Sequence, residues 1–305
     1  MSKWMKRIAA TGVVLICLGI LLTLGAAAAG GLSVVRKGAG HIIEHYIGTE
    51  DMERIGALLS AASRSGWDGI TPYADGSMRI SRDGMKLYER LEGAKNVAVS
   101  VERTAFRLES GTEPMDGPVL YVQQDPDMNV AITRETSDPT VRVKLSYSGG
   151  RRRGCGAAVL VVPEDWQFEE FSVDGMAGFM QLEDVQAGRI SLSVKAGEIR
   201  AQTLRAKALT VDADAGEVSA RAAGAEQVDA SAKAGAVSLH ISGAEDEFDV
   251  RIKNKAGNVR IGEMSYVGMN EDSQRRGAAD RAERKEILVD CVAASVEIDF
   301  SEDFD

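Results

Sequence analysis

Histidine and cysteine are nearly missing from this chain of 305 residues, which holds three of each. The histidines are His41, His45 and His240; the cysteines are Cys17, Cys155 and Cys291. The cysteines show no close-spaced metal pattern, and no second histidine or cysteine lies near His240 to support a catalytic triad. Aromatic residues are only 5%, so any core must be thin rather than built around large rings. Basic charge is short too: 36 Lys and Arg stand against 46 Asp and Glu, a net charge of −10. A nucleic-acid partner needs a basic face, and the one run of three basic residues, Arg151 to Arg153, reads as a solvated turn. There is no glycine-rich phosphate loop, so no nucleotide is expected.

A long apolar run occurs only at the N-terminus. Lys3, Lys6 and Arg7 precede the stretch Ile8 to Ala29, which is long enough to cross a bilayer. Two readings stay open: an uncleaved signal anchor with its basic end in the cytoplasm, or a signal peptide cut near Ala26-Ala27-Ala28. Residues 1–33 are therefore a cytoplasmic tip and transmembrane helix, or a signal peptide. Residues 34–84 read as a stalk with one short helix, because Met52, Ile55, Leu58, Leu59 and Ala62 fall at helical spacing. The remainder, 85–305, is expected outside the cytoplasm.

What the chain does have is a repeat. Ala-Gly recurs with its glycine at 178, 197, 216, 235 and 257, in steps of 19, 19, 19 and 22. Two residues after each glycine stand Met180, Ile199, Val218, Val237 and Val259, and two further on Leu182, Ala201, Ala220, Leu239 and Ile261. A second set of columns keeps the same register: Ile190, Leu209 and Val228, then Leu192, Val211 and Ala230. Alternation at period two marks half-buried strands, and stacked copies can bury what one strand cannot. The expected fold is all-β: a single-stranded, right-handed β-solenoid of 19-residue coils, regular over 177–262. The constant glycine suggests a turn conformation that only glycine adopts cheaply.

Upstream, Asn96–Val101, Val119–Val122, Val130–Thr133, Val141–Tyr147, Ala157–Val162 and Phe168–Val173 are strand-like and separated by turns. They are expected to form less regular coils of the same unit. Downstream, Gly268 to Lys285 is charged and reads as an exposed loop. Residues 287–300 return to strand character, and Ala294 stands where the glycine would be. This closing strand is expected to be the last coil, with the acidic tail Ser301 to Asp305 guarding the terminal edge.

The stretch from Ala157 to Val185, followed by the Gly-x-(Val/Ile) rungs and the closing "CVAASVEIDF", resembles the bacterial putative adhesin domain family over roughly Lys86 to Phe300. The resemblance implies a β-helical fold, no established catalytic residues and an adhesive or cell-envelope role. It also implies a bacterial plasma-membrane protein with one crossing and its bulk outside, or a secreted one if the signal is cut. Signalling in envelope stress is an alternative role, and a polysaccharide-active β-helix enzyme a more distant one. The partner is an unidentified protein or envelope component.

Three candidate sites are weighed against this reading. "HIIEH", His41 to His45, fits an inverted zinc-peptidase pattern with Glu44 as base. It lacks a third ligand and a surrounding domain, so it reads as a juxtamembrane polar helix. Acidic turns at Glu183-Asp184, Asp212 with Asp214, and Glu245 to Glu247 could take calcium, but they do not keep register, and Lys195, Lys233 and Lys255 stand where Asp214 does. Cys155 and Cys291 could pair outside the membrane, although they fall at opposite ends of the expected solenoid. No catalytic, cofactor-binding or metal residue is assigned, and no cofactor is expected.

Overall fold

The computed structural model describes residues 70–72, 78–112, 115–135, 138–149, 156–267, 271–277 and 284–301. The apolar N-terminal run, the His41–His45 motif, the predicted stalk helix, the Arg151–Arg153 cluster and Cys155 lie outside them. Among the described residues no helix is long and apolar enough to cross a membrane.

The described residues are all-β apart from one three-residue 3-10 turn at Glu245–Glu247. Its strands are β1 (Ile70–Pro72), β2 (Met78–Ile80), β3 (Lys86–Arg90), β4 (Asn96–Gly111), β5 (Val119–Val122) and β6 (Met128–Glu135). Then come β7 (Asp138–Tyr147), β8 (Gly156–Pro163), β9 (Phe168–Val194), β10 (Gly197–Ala213), β11 (Glu217–Ala223) and β12 (Gln227–Ala232). The last are β13 (Ala236–Ser242), β14 (Phe248–Asn254), β15 (Asn258–Ile261), β16 (Met264–Val267), β17 (Glu271–Arg275), β18 (Lys285–Cys291) and β19 (Ser295–Ser301).

β1 and β2 pair only with each other, and the ladders of the remaining strands sort into two sheets that join into one closed ladder. In the regular stretch most residues pair in parallel with the one 19 positions earlier, as Ile199 with Met180, Val218 with Ile199 and Val237 with Val218; a bulge between Ala201 and Leu204 shortens the offset to 18 at Ala222 and Ala223. Leu209 likewise pairs with Ile190, and Val228 with Leu209. The first series lies in one sheet and the second in the other, so every coil gives one strand to each. The long strands β4, β9 and β10 serve both sheets, which makes the ladder continuous around the coil. Inward residues from both sheets form one core, with Ile199, Val218, Leu209, Val228, Ala220 and Ala230 all buried. Each large side chain so buried contributes roughly 1.5–3 kcal/mol. The many alanines keep the two walls close.

Glycine holds its column by close approach more than by turn conformation. Gly178 and Gly197 have positive φ, at 152° and 122°, but Gly216, Gly235 and Gly257 do not. A Cβ on Gly235 would lie 2.2 Å from the carbonyl oxygen of Gly216, and one on Gly216 would lie 2.7 Å from that of Gly197. Each rung's carbonyl occupies the space a side chain would need on the next. The turn explanation is thereby corrected for three of the five positions.

The order of coils is not the order of the chain. β18 pairs in parallel with β12 on one side and β14 on the other: Ile287 faces both Val228 and Val250. β19 does the same between β13 and β15, with Val296 facing Val237 and Val259. The β18–β19 segment is therefore not the terminal coil. It is threaded between two coils that follow one another in sequence. The other end repeats the arrangement. β4 lies between the β7–β8 coil and β9, with Val97 facing Val141 and Phe171, and Leu108 facing Leu160 and Leu182.

The connections that step over an inserted coil are longer. From Ala201 to Leu209, and from Ala220 to Val228, the chain takes 8 positions to reach the next coil's matching site. From Leu239 to Val250, and from Leu160 to Phe171, it takes 11. Two rungs of parallel sheet span about 9.6 Å, and three extra residues supply the climb. The step of 22 between Gly235 and Gly257 has the same origin.

Antiparallel strands cap both ends. β6 closes β7, and β5 with β3 closes β8; β17 closes β14, and β16 closes β15. Residues 271–275 of the segment expected to be an exposed loop thus form a capping strand. The edge is covered by β16 and β17; of the acidic tail only Ser301 is among the described residues, and its carbonyl accepts a hydrogen bond from Gly243 N–H inside the stack. At the first end β2 lies on the outside of the sheet. Ile80, placed in the stalk by sequence, is fully buried there against Ala105, Val159 and Phe179.

Candidate functional site

Alternation that buries one half of each strand points the other half outward, so the two broad outer faces are where this fold can meet a ligand. On the face carrying β12, outward columns read Ser191, Thr210, Asp229, Leu288 and Arg251, and beside them Ser193, Asp212, Ser231, Asp290 and Lys253. On the opposite face one column reads Gln181, Arg200, Ser219, Ser238, Glu297 and Arg260.

Charges on these faces pair between rungs. Arg189 meets Glu170, Lys233 meets Asp214 at 2.6 Å, and Arg205 meets Asp184 at 2.7 Å. Arg107 bridges Glu183 at 2.5 Å and Glu109 at 3.2 Å. Glu245 is held by Arg275, and Glu247 by Lys285 at 2.6 Å. Most acids singled out as calcium candidates are thus matched by cations. Among the described residues no group of three His, Cys, Asp or Glu side chains is placed to hold a metal ion. The Asp214 carboxylate raises the Lys233 ammonium above its ordinary range by accepting its hydrogen bond. Lys285 lowers Glu247 in the reciprocal way.

One acidic patch is not fully matched. Asp229 is held above the usual carboxylate range, first by partial burial and then by Asp290, Asp212 and Glu286. One carboxylate oxygen of Asp212 is buried without a hydrogen-bond partner. His240 points outward, as alternation requires, with Nδ1 4.0 Å from Asp299 and its side chain 48% exposed. Cys291 is a free, buried thiol, its pKa raised chiefly by burial. Two depressions mark the outer surface. One, of about 410 Å³, lies where the small side chains of Ala98, Ser172, Ser191 and Ala208 sit between Arg142 and Arg189. The other, of about 530 Å³, is lined by mixed charges including Asp249, Arg251, Arg284 and Glu286.

Two face-to-face parallel sheets, wound from short coils and capped at both ends, define a β-solenoid-like class. The chain belongs to the Toastrack DUF4097 family, whose model matches residues 129–292, more than half of its length. Among curated proteins none matches it. Two solved structures overlap it loosely. A putative cell adhesion protein from Clostridium sporogenes ATCC 15579 is 12% identical, with 71% of this chain and 98% of that one covered and a TM-score of 0.32. A putative adhesin from Bacteroides fragilis NCTC 9343 is 11% identical, with 70% and 95% covered and the same score. The family assignment rests on residues 129–292 and not on these overlaps.

Proposed function

We propose that the chain is a non-catalytic, adhesin-type binding or scaffold module that works outside the cytoplasm, held at the membrane by its N-terminal apolar run. One observation carries this reading. Reactive groups are scarce, and the charges on the outer faces are largely neutralised between rungs, leaving broad polar surfaces suited to contact rather than to chemistry. The apolar run Ile8 to Ala29 supports export and anchoring. The 19-residue offset between partnered residues supports a solenoid of regular coils, which we take to wind right-handed.

Two measurements test the proposal. Ser219→Cys places a thiol on an outer face. In spheroplasts expressing the full chain, a membrane-impermeant maleimide labels it if the domain lies outside; protection until lysis contradicts the placement. Cells producing the full chain attach to a surface or to one another more than cells lacking it. Equal attachment contradicts the adhesive role.

A further inference from the structure

The inserted C-terminal coil is a guest between two hosts. The host coils, β12–β13 and β14–β15, are consecutive in the chain, and the connection between them already has the three additional residues needed to stand two rungs apart. The slot's width is therefore set by the hosts. The guest fills it with Ile287, Val289, Cys291, Val296 and Ile298, all buried. Main-chain ladders run along both of its edges.

Charge on the two sides is complementary. The hosts present Arg251 to the guest's Glu286 at 3.5 Å, and Arg260 to its Glu297 and Asp299, the latter at 2.8 Å. The host turn presents Glu247 to the guest's Lys285 at 2.6 Å. Shape, backbone pairing and charge thus specify one kind of occupant: two short strands with the alternation and charges of residues 285–301. A second copy of this chain carries that segment. Every guest–host contact named here involves only residues 226–301, so the same contacts form whichever copy supplies the guest.

We propose that the slot between β12–β13 and β14–β15 is a strand-docking site, and that a second copy of this chain fills it in trans to give dimers exchanged through residues 285–301. Such exchange keeps the guest–host contacts named above and adds the cost of associating two chains.

The test uses two full-length versions with Cys17, Cys155 and Cys291 replaced by alanine. One carries Ser231→Cys on the host strand, the other Asp290→Cys on the guest strand; these positions are register partners. The two are unfolded, mixed, refolded together and oxidised. The proposal predicts a covalent heterodimer on a non-reducing gel, its fraction rising about tenfold per tenfold increase in concentration while dimer is scarce. A third version with both cysteines in one chain reports whether the slot forms. If it cross-links within itself and the mixture gives no dimer at any concentration, the slot accepts only its own guest and the proposal is overturned. Failure of that internal cross-link overturns it as well, because the slot itself is then absent.

Discussion

Gly235→Ala asks whether the glycine column exists for contact or for conformation. The new Cβ would lie 2.2 Å from the Gly216 carbonyl oxygen, 3.1 Å from its nitrogen and 3.2 Å from its carbonyl carbon. A relaxed carbon–oxygen approach is about 3.3 Å, so the rungs must part by about 1 Å. That oxygen also accepts the Ala236 N–H at 2.9 Å, and Ala234 N–H donates to Asp214 at 2.7 Å. Stretching these two bonds costs about 1 kcal/mol each, and the strain passed to the flanking core adds about 1 kcal/mol more. The total is about 3 kcal/mol, a fall of roughly 6–12 °C in Tm for a domain of this size. Gly224→Ala is the control. Gly224 has φ 71° but nothing within 4 Å of a Cβ, so only the left-handed penalty of about 1–2 kcal/mol applies. Thermal melts of both variants decide the matter. A Gly235→Ala variant that loses no more than the control would refute the stacking argument.

Val218 is fully buried, so Val218→Asp should cost several kcal/mol, whereas Glu217→Gln on the outer face should cost less than about 0.5; denaturation midpoints separate them. Asn254 is buried in the last coil, where it donates to the Gly257 and Tyr266 carbonyls and accepts from the Gly257 N–H. Asn254→Leu leaves those groups unmatched and should cost about 2–4 kcal/mol in the same assay. Asp229 has a raised pKa in the folded chain, so the folded form binds more protons and its contribution to stability falls as pH rises from 3.8 through the folded value. Asp229→Asn should therefore raise the urea midpoint at pH 7, with the gain vanishing on acidification to about pH 3; a gain that is equal at both pH values contradicts the electrostatic cause.

The core was readable because burial on one face writes itself as period two. Ile199, Val218, Leu209 and Val228 fall in the columns drawn from sequence, and Ala294 takes a place in the glycine column, though between Gly235 and Gly257 rather than after them. Coil order does not show in the apolar columns; its trace is the step of 22 and the 11-position connection at Leu160, which mark where the chain passes over an inserted coil. β17, "EDSQR", has no apolar alternation to betray it, because its backbone pairs with β14 while charged side chains suit an exposed edge. The glycine column shows in sequence only that a side chain is excluded. Whether φ or a neighbouring carbonyl excludes it depends on the rung beneath.

The threaded order is tested most directly by cysteine pairs across Asp229, Leu288 and Arg251, which share one outward column. Adjacent rungs are about 4.8 Å apart and alternate rungs about 9.6 Å, whereas a disulfide needs Cα atoms within about 7 Å. In a background with Cys17, Cys155 and Cys291 replaced by alanine, the threaded order predicts that Asp229→Cys cross-links with Leu288→Cys, and Leu288→Cys with Arg251→Cys. Asp229→Cys with Arg251→Cys should not. A disulfide between positions 229 and 251, with none between 229 and 288, would put the C-terminal coil at the end of the stack and contradict the fold described here.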